Sequence, residues 1–247
     1  MLNGICILPV IPMRKRKSDT SEMINQILFG ESFKVLKKQN KWSYIELLHD
    51  QYQGWIDNSQ YIITKKNTQN FIISNKKYSN IKIKSIKQTL LLGSFVPQNK
   101  QLRAQINIKE NLHFCTIKPF DIWFKKIANK YLNTPYLWGG RSPMGIDCSG
   151  YTQMVYRFFN IQLPRDAHQQ EKKGAEVKNI QKIKVGDLAF FEKNKAITHV
   201  GVIIGKNKII HASGKVRVDL IDKKGIFNLD SQSYSHKLKS LKRVFDY

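Results

Sequence analysis

Short alternations of apolar and polar residues fill the first quarter of the chain. ICILPVI, ESFKVLKKQ, WSYIELLHD and QGWIDNSQYII each run for a few residues between turn-forming groups, as half-buried antiparallel strands do. They predict a small all-β barrel over residues 1–63, with KKQNKW at 37–42 and LHDQYQGW at 48–55 as hairpin turns. Residues 64–118 open on the loop-like KKNTQN and NKKYSN. They continue with IKIKSIK and QTLLLGSFVP, alternating or apolar stretches ended by Gly93 and Pro97. A second small β-module with its linker is expected there. At Pro119 the period changes. Phe120, Phe124, Ile127, Ala128 and Tyr131 recur at helical spacing, with Pro119 and Asp121 at the entry. The stretch TPYLWGGRSPMGID holds Pro135, Pro143, Gly139, Gly140 and Gly145 and is expected to lack regular structure. Tyr151, Met154, Val155 and Phe158 mark a second helix whose first turn contains Cys148. LAFF at 188–191, ITHVGVIIG at 197–205 and KIIHAS at 208–213 read as strands, the last two as a hairpin around Lys206 and Asn207. Helix, helix, then a strand meander is an α+β domain, expected over residues 119–247.

Composition narrows the class. The chain has 247 residues, 41% apolar and 24% charged, which is globular and large enough for two or three small domains. Its apolar runs are far too short to span a bilayer. In MLNGICILPVIPMRKRK the basic run follows the apolar one, the reverse of a secretory signal. This start reads as a first strand, and a cytoplasmic location is expected. Three cysteines, Cys6, Cys115 and Cys148, show no paired spacing, which fits a reducing compartment. With no CxxC or HExxH motif, neither a metal nor another cofactor is expected. The formal net charge is +24, with 34 Lys against 8 Arg. Apart from MRKRK at 13–17 the lysines are scattered, whereas nucleic-acid modules interleave Arg and aromatics locally. Solvated basic faces, no nucleic-acid or membrane partner, and a monomer are therefore expected.

One short stretch carries candidate chemistry. In GIDCSGYTQMVYRFF, Cys148 stands at a loop-to-helix junction between Asp147 and Ser149. Free cysteines are commonly buried fillers, and Cys6 and Cys115, in apolar or mixed surroundings, read that way. A helix N-terminus instead favours the thiolate, and a nearby imidazole would favour it further. The Gly-rich loop ahead of Cys148 is expected to leave it open to solvent. Six histidines could supply the base: His49, His113, His168, His199, His211 and His236. His199 lies in an otherwise apolar strand, where an imidazole needs a partner, and His211 lies in the next strand. A hairpin loop with an odd number of residues sets His211 opposite Gly201 and makes the two histidines diagonal neighbours on one face. A two-residue loop would set them on opposite faces. The expected constellation is Cys148 as nucleophile, His199 as base and His211 as the group that orients it.

The motifs DCSG, LPRD, GDL, HVG and HAS occur in that order across residues 120–213, and this region closely resembles the NlpC family of bacterial cell-wall peptidases. The resemblance implies a papain-like fold, with Cys148, His199 and His211 in the catalytic positions. The front half, MRKRKSDTSEMINQILFGESFKVL with WSYIELLHDQYQGWID, resembles a bacterial SH3 barrel, and LLLGSFVP resembles part of a second. Family members so built are γ-D-glutamyl-L-diamino acid endopeptidases acting on short peptidoglycan peptides with a free N-terminal L-Ala. By that resemblance Glu22, Tyr52 and Asp166 would hold the alanine ammonium, and Asp147 and Ser149 would contact the substrate backbone. A bound ammonium does need such acceptors. Asp166 could alternatively cap the AHQQEKK turn. Ala167 departs from relatives that place a hydroxyl after this Asp. Trp138 is expected to pack the loop or to border the groove.

Three other readings compete with wall-peptide recycling. A secreted wall-lytic enzyme of the same chemistry would need an export signal or wall-targeting repeats. A thiol acyltransferase acting on lipids would need an apolar insertion. A catalytically silent basic binding protein would bind nucleic acid in a steeply salt-dependent way.

Overall fold

The structure is a computed structural model that describes residues 2–64, 71–83, 86–106 and 120–245. The expectations placed on His113, Cys115, Pro119 and the KKNTQN loop fall outside the described residues, as does the side chain of Asp121. The chain divides into two compact units. One comprises residues 1–116 together with Trp138–Pro143; the other comprises 117–137 together with 144–247.

The first unit begins with β1 (Leu2–Cys6), β2 (Val10–Arg14), β3 (Met23–Leu28), β4 (Ser32–Lys38), β5 (Trp42–Leu47), β6 (Gln53–Asp57) and β7 (Tyr61–Thr64). These form one antiparallel sheet in the order β3-β2-β6-β5-β4-β1-β7. Alternation places Ile11, Met13, Phe33, Val35, Ile45, Leu47 and Ile56 in a common core. The turn between β5 and β6 needs a left-handed residue, which Gln51 supplies at φ +59°. The chain continues as β8 (Phe71–Ile73), β9 (Tyr78–Ile83), β10 (Ile86–Leu91), β11 (Phe95–Pro97) and α1 (Lys100–Gln105). Here β9 pairs with β10 and β8 with β11, as two two-stranded sheets. Ile81, Leu90 and Val96 of these sheets and Ile106 after α1 pack with Ile7, Phe29 and Ile62 from the preceding part of the chain. Such small sheets gain a core by sharing their neighbour's apolar residues.

The segment Trp138–Pro143 also belongs to this unit and contains a short strand, β12 (Arg141–Ser142). A Cβ on Gly139, at φ +76°, would lie 2.5 Å from the Met23 carbonyl oxygen, so only glycine fits there. Arg141 is fully buried. Its Nη1 and Nη2 donate to Glu31 Oε2 and Oε1 at 3.1 and 2.9 Å, and Nη1 donates to the Gln26 carbonyl at 2.9 Å. The expectation that this stretch is pure loop is corrected by β12 and by β13 (Gly145–Ile146), which lies in the other unit.

The second unit opens with α2 (Phe120–Asn129), which buries Phe124, Ile127 and Ala128. Helix α3 (Cys148–Arg157) is buried along its whole length, as a central helix must be when both its faces are covered. Then follow α4 (Ala167–Gln170), β14 (Ala175–Glu176), β15 (Leu188–Lys193), β16 (Ala196–Gly205), β17 (Lys208–Ser213), β18 (Lys215–Ile221), β19 (Gly225–Asn228) and β20 (Ser233–Arg243). Strands β15 to β20 pair in sequence order, and β20 also pairs with β15, so six strands close into a barrel. Its core holds Ala189, Phe191, Ile203, Ile209, Ile221, Ile226 and Leu241. Among the described residues, no helix is long and apolar enough to cross a membrane.

Candidate active site

Cys148 is the first residue of α3. The helix starts there because Asp147, in extended conformation, caps it, accepting from the Gly150 amide at 2.7 Å. Asp147 also binds the buried Arg165, whose Nη1 donates to Oδ1 at 3.0 Å and whose Nη2 donates to Oδ2. Arg165 Nη1 further donates to Ser149 Oγ at 3.0 Å. The side chains flanking the nucleophile are thus joined to each other through one guanidinium. The Gln170 amide donates to the Ser149 carbonyl at 3.0 Å and its oxygen accepts from Thr152 at 2.6 Å, tying α4 to this first turn.

The expectation of an open, acidic thiol is corrected. Cys148 is only 7% exposed. Burial, followed by the Asp147 carboxylate, pushes its thiol up to about 12. The amides of Val200 and Ser149 and the charge of Arg165 act in the opposite direction. The amide of Val200 places the thiol against β16, one residue from His199. Tyr136 sits in the same electrostatic field. Burial first, and then the charges of Cys148 and Asp147, push its hydroxyl up to about 12, so it stays protonated at neutral pH.

The two histidines meet. In the β16–β17 register Gly201 faces His211, and His199 Nε2 lies 2.9 Å from His211 Nδ1. The connecting loop has two residues, Lys206 and Asn207, a length expected to separate the histidines. The pairing shifts between Ile203 and Gly205, however, where Ile204 is an extra residue opposite no partner. This bulge restores the parity that the short loop would have broken. A Cβ on Gly201 would lie 2.9 Å from the His211 Cβ, so the glycine makes room for the pair. His211 Nε2 in turn lies 3.0 Å from Asp219 Oδ2 on β18. The ring of His236, on β20, stacks on His199 with centroids 4.2 Å apart. Burial, then His211 and His236, hold the His199 imidazole well below the usual histidine range, so it is a neutral acceptor at pH 7.

The remaining expected residues are placed as follows. Asp166, in the second unit, stands at the N-cap position of α4, as the capping alternative expected, but its side chain makes no cap bond. Glu22 and Tyr52 belong to the first unit. Glu22 is exposed, accepts from Lys15 Nζ at 3.0 Å and from Trp138 Nε1 at 2.9 Å, and both bonds hold its carboxyl below the usual range. Trp138 is 62% exposed and does not pack the loop. Tyr52 is half-buried against the first core. Sequence reasoning passed over Arg165, Tyr136 and Asp219, and named His236 only as one of six candidate bases. The first two lie inside quoted motifs. Asp219 could have been found as an acid alternating with valines in VRVD, on the strand after HAS.

Comparison with known proteins places this geometry. Residues 133–235 match the NlpC/P60 family and residues 13–60 match the bacterial dipeptidyl-peptidase SH3 domain. The chain is 28% identical to a γ-D-glutamyl-L-lysine dipeptidyl-peptidase of Bacillus subtilis, over 89% of this chain and 80% of that protein. It is 25% identical to dipeptidyl-peptidase 6 of Lysinibacillus sphaericus, over 90% of this chain and 92% of that one. A crystal structure of an NlpC/P60 family protein from Bacillus cereus shares the fold, with a TM-score of 0.79 at 17% identity, covering 98% of this chain and 99% of that one. The chain therefore carries an NlpC/P60 family domain preceded by a bacterial dipeptidyl-peptidase SH3 domain.

Proposed function

We propose that this protein is a cysteine peptidase that hydrolyses the γ-D-glutamyl-L-diamino acid bond of short peptidoglycan peptides bearing a free N-terminal L-Ala. The reading places it in the cytoplasm, in the recycling of wall peptides. The observation that carries it is the array of Cys148 at a helix N-terminus, His199 one residue from the thiol's amide contact on β16, and His211 bonded to His199. The names of the relatives supply the substrate class.

The chemistry follows from the protonation states. The resting pair is a neutral thiol beside a neutral imidazole. As Sγ attacks the carbonyl carbon, its proton passes to His199, which avoids a free thiolate in a buried site. The tetrahedral oxyanion accepts from the Cys148 amide at the helix terminus and from the Tyr136 hydroxyl. His199 then gives its proton to the departing amine. A thioester remains, and water activated by the same imidazole hydrolyses it. In this reading Glu22, Tyr52 and Asp166 hold the alanine ammonium, and Glu22 is anionic at neutral pH as that role demands. Asp147 and Ser149, flanking the nucleophile, contact the substrate backbone.

The test is mass spectrometry of L-Ala-γ-D-Glu-diaminopimelate incubated with the protein, with the N-acetylated peptide and Cys148→Ala in parallel. Cleavage of the free peptide alone, lost in the variant, is the expected result. Cleavage of both peptides would discard the ammonium pocket, and cleavage of neither by folded, reduced protein would discard the peptidase.

A further inference from the structure

Asp219 on β18 is completely buried. Strand register sets Arg217 opposite His211, so Asp219 is the diagonal neighbour of His211 on the same face. Both carboxylate oxygens are occupied. Oδ2 accepts from Arg217 Nε at 2.8 Å and lies 3.0 Å from His211 Nε2. Oδ1 accepts from Arg217 Nη2 and from the Leu229 amide, each at 3.0 Å. Arg217 also pairs with Asp230 at 2.8 Å and donates to Asn228 at 3.2 Å. Burial alone would raise the Asp219 carboxyl, but the bonds from His211, Arg217 and Leu229 hold it well below the usual carboxylate range.

We propose that Asp219 is a positioning residue that sets the tautomers of both histidines and thereby selects Nδ1 of His199 as the basic nitrogen. An ionised carboxylate can only accept, so His211 must carry its proton on Nε2. Arg217 already supplies the counter-charge through Nε and Nη2, and in this proposal the carboxylate takes up the single N–H of an imidazole base at His211. Its Nδ1 then has only a lone pair to offer His199, whose Nε2 must carry the proton. The lone pair of His199 is left on Nδ1. One buried acid, two strands away from the base, thus decides which edge of that imidazole takes a proton. The inference rests on the reading of His199 as the catalytic base.

The discriminating variant is Asp219→Asn in the full chain. The oxygen of the new amide is held where Arg217 Nη2 and the Leu229 amide both donate, so its NH₂ faces His211 and only the bond from Arg217 Nε is given up. That donor demands a lone pair on His211 Nε2 and reverses both tautomers. Histidine ¹⁵N NMR, in a Cys148→Ala background, should show His199 and His211 protonated on Nε2 when Asp219 is present and on Nδ1 in Asp219→Asn. In the Cys148-containing protein, kcat for peptide cleavage should fall by about 10³-fold with KM little changed. Protonation of His199 on Nδ1 in the Asp219-containing protein would overturn the proposal, and this measurement stands even if Asp219→Asn does not fold. Unchanged tautomers in a folded Asp219→Asn protein would also overturn it. The expected tautomers in a protein that cleaves no peptide would support the assignment of Asp219 and sink the peptidase reading instead.

Discussion

The Cys148 thiol lies in opposing fields. The helix terminus and Arg165 favour its anion, while burial and Asp147 oppose it, and burial wins. Alkylation of Cys148 by iodoacetamide is therefore expected to rise with pH beyond 8 in the resting protein; a rate already level at pH 6 would contradict this. His236 makes a second residue-level prediction. Burial, with His211 adding to it, lowers its pKa from 6.5 to about 4. Between those values the unfolded chain binds more protons than the folded one, so stability falls as pH drops through this window and is retained above it. His199, lowered in the same direction, adds to the loss. Melting temperature measured from pH 8 to pH 4 should decline across this window, and His236→Asn should flatten the decline.

At the level of elements, the site depends on how β16 meets β17. The Ile204 bulge keeps His199 and His211 on one face, and Gly201 keeps them within reach. Gly201→Ala would drive a methyl to within 2.9 Å of the His211 Cβ. A loss of about 1–3 kcal/mol on denaturant unfolding is expected, with peptide cleavage falling further than stability because the His199–His211 bond is displaced. Wild-type activity in Gly201→Ala would show that the pair tolerates separation. The candidate nucleophile and both histidines were legible in the sequence, because a cysteine at a helix start and histidines in apolar strands are locally conspicuous. The bulge was not, since nothing in ITHVGVIIGKNKIIHAS marks which residue goes unpaired.

Over the whole molecule, the chain leaves its first unit and returns to it at Trp138–Pro143. The return is anchored by Arg141 and Glu31, both fully buried. Removing one partner leaves the other charge buried without its counter-ion, so Arg141→Met should cost about 3–5 kcal/mol in chemical denaturation. The double change with Glu31→Gln should recover part of that loss, and additive losses would show that the two are uncoupled. The sequence by itself determined the β-rich front, the α+β rear, the strands carrying the histidines and the helix carrying Cys148. These follow from hydrophobic period and turn residues, which act over a few positions. Only the tertiary structure decided that β20 closes a barrel, that Arg141 is a core residue, that Cys148 is buried and that Asp219 reaches His211. Each of these depends on groups far apart in the chain. Their burial and partners are set by which strands lie side by side, and local pattern does not encode that.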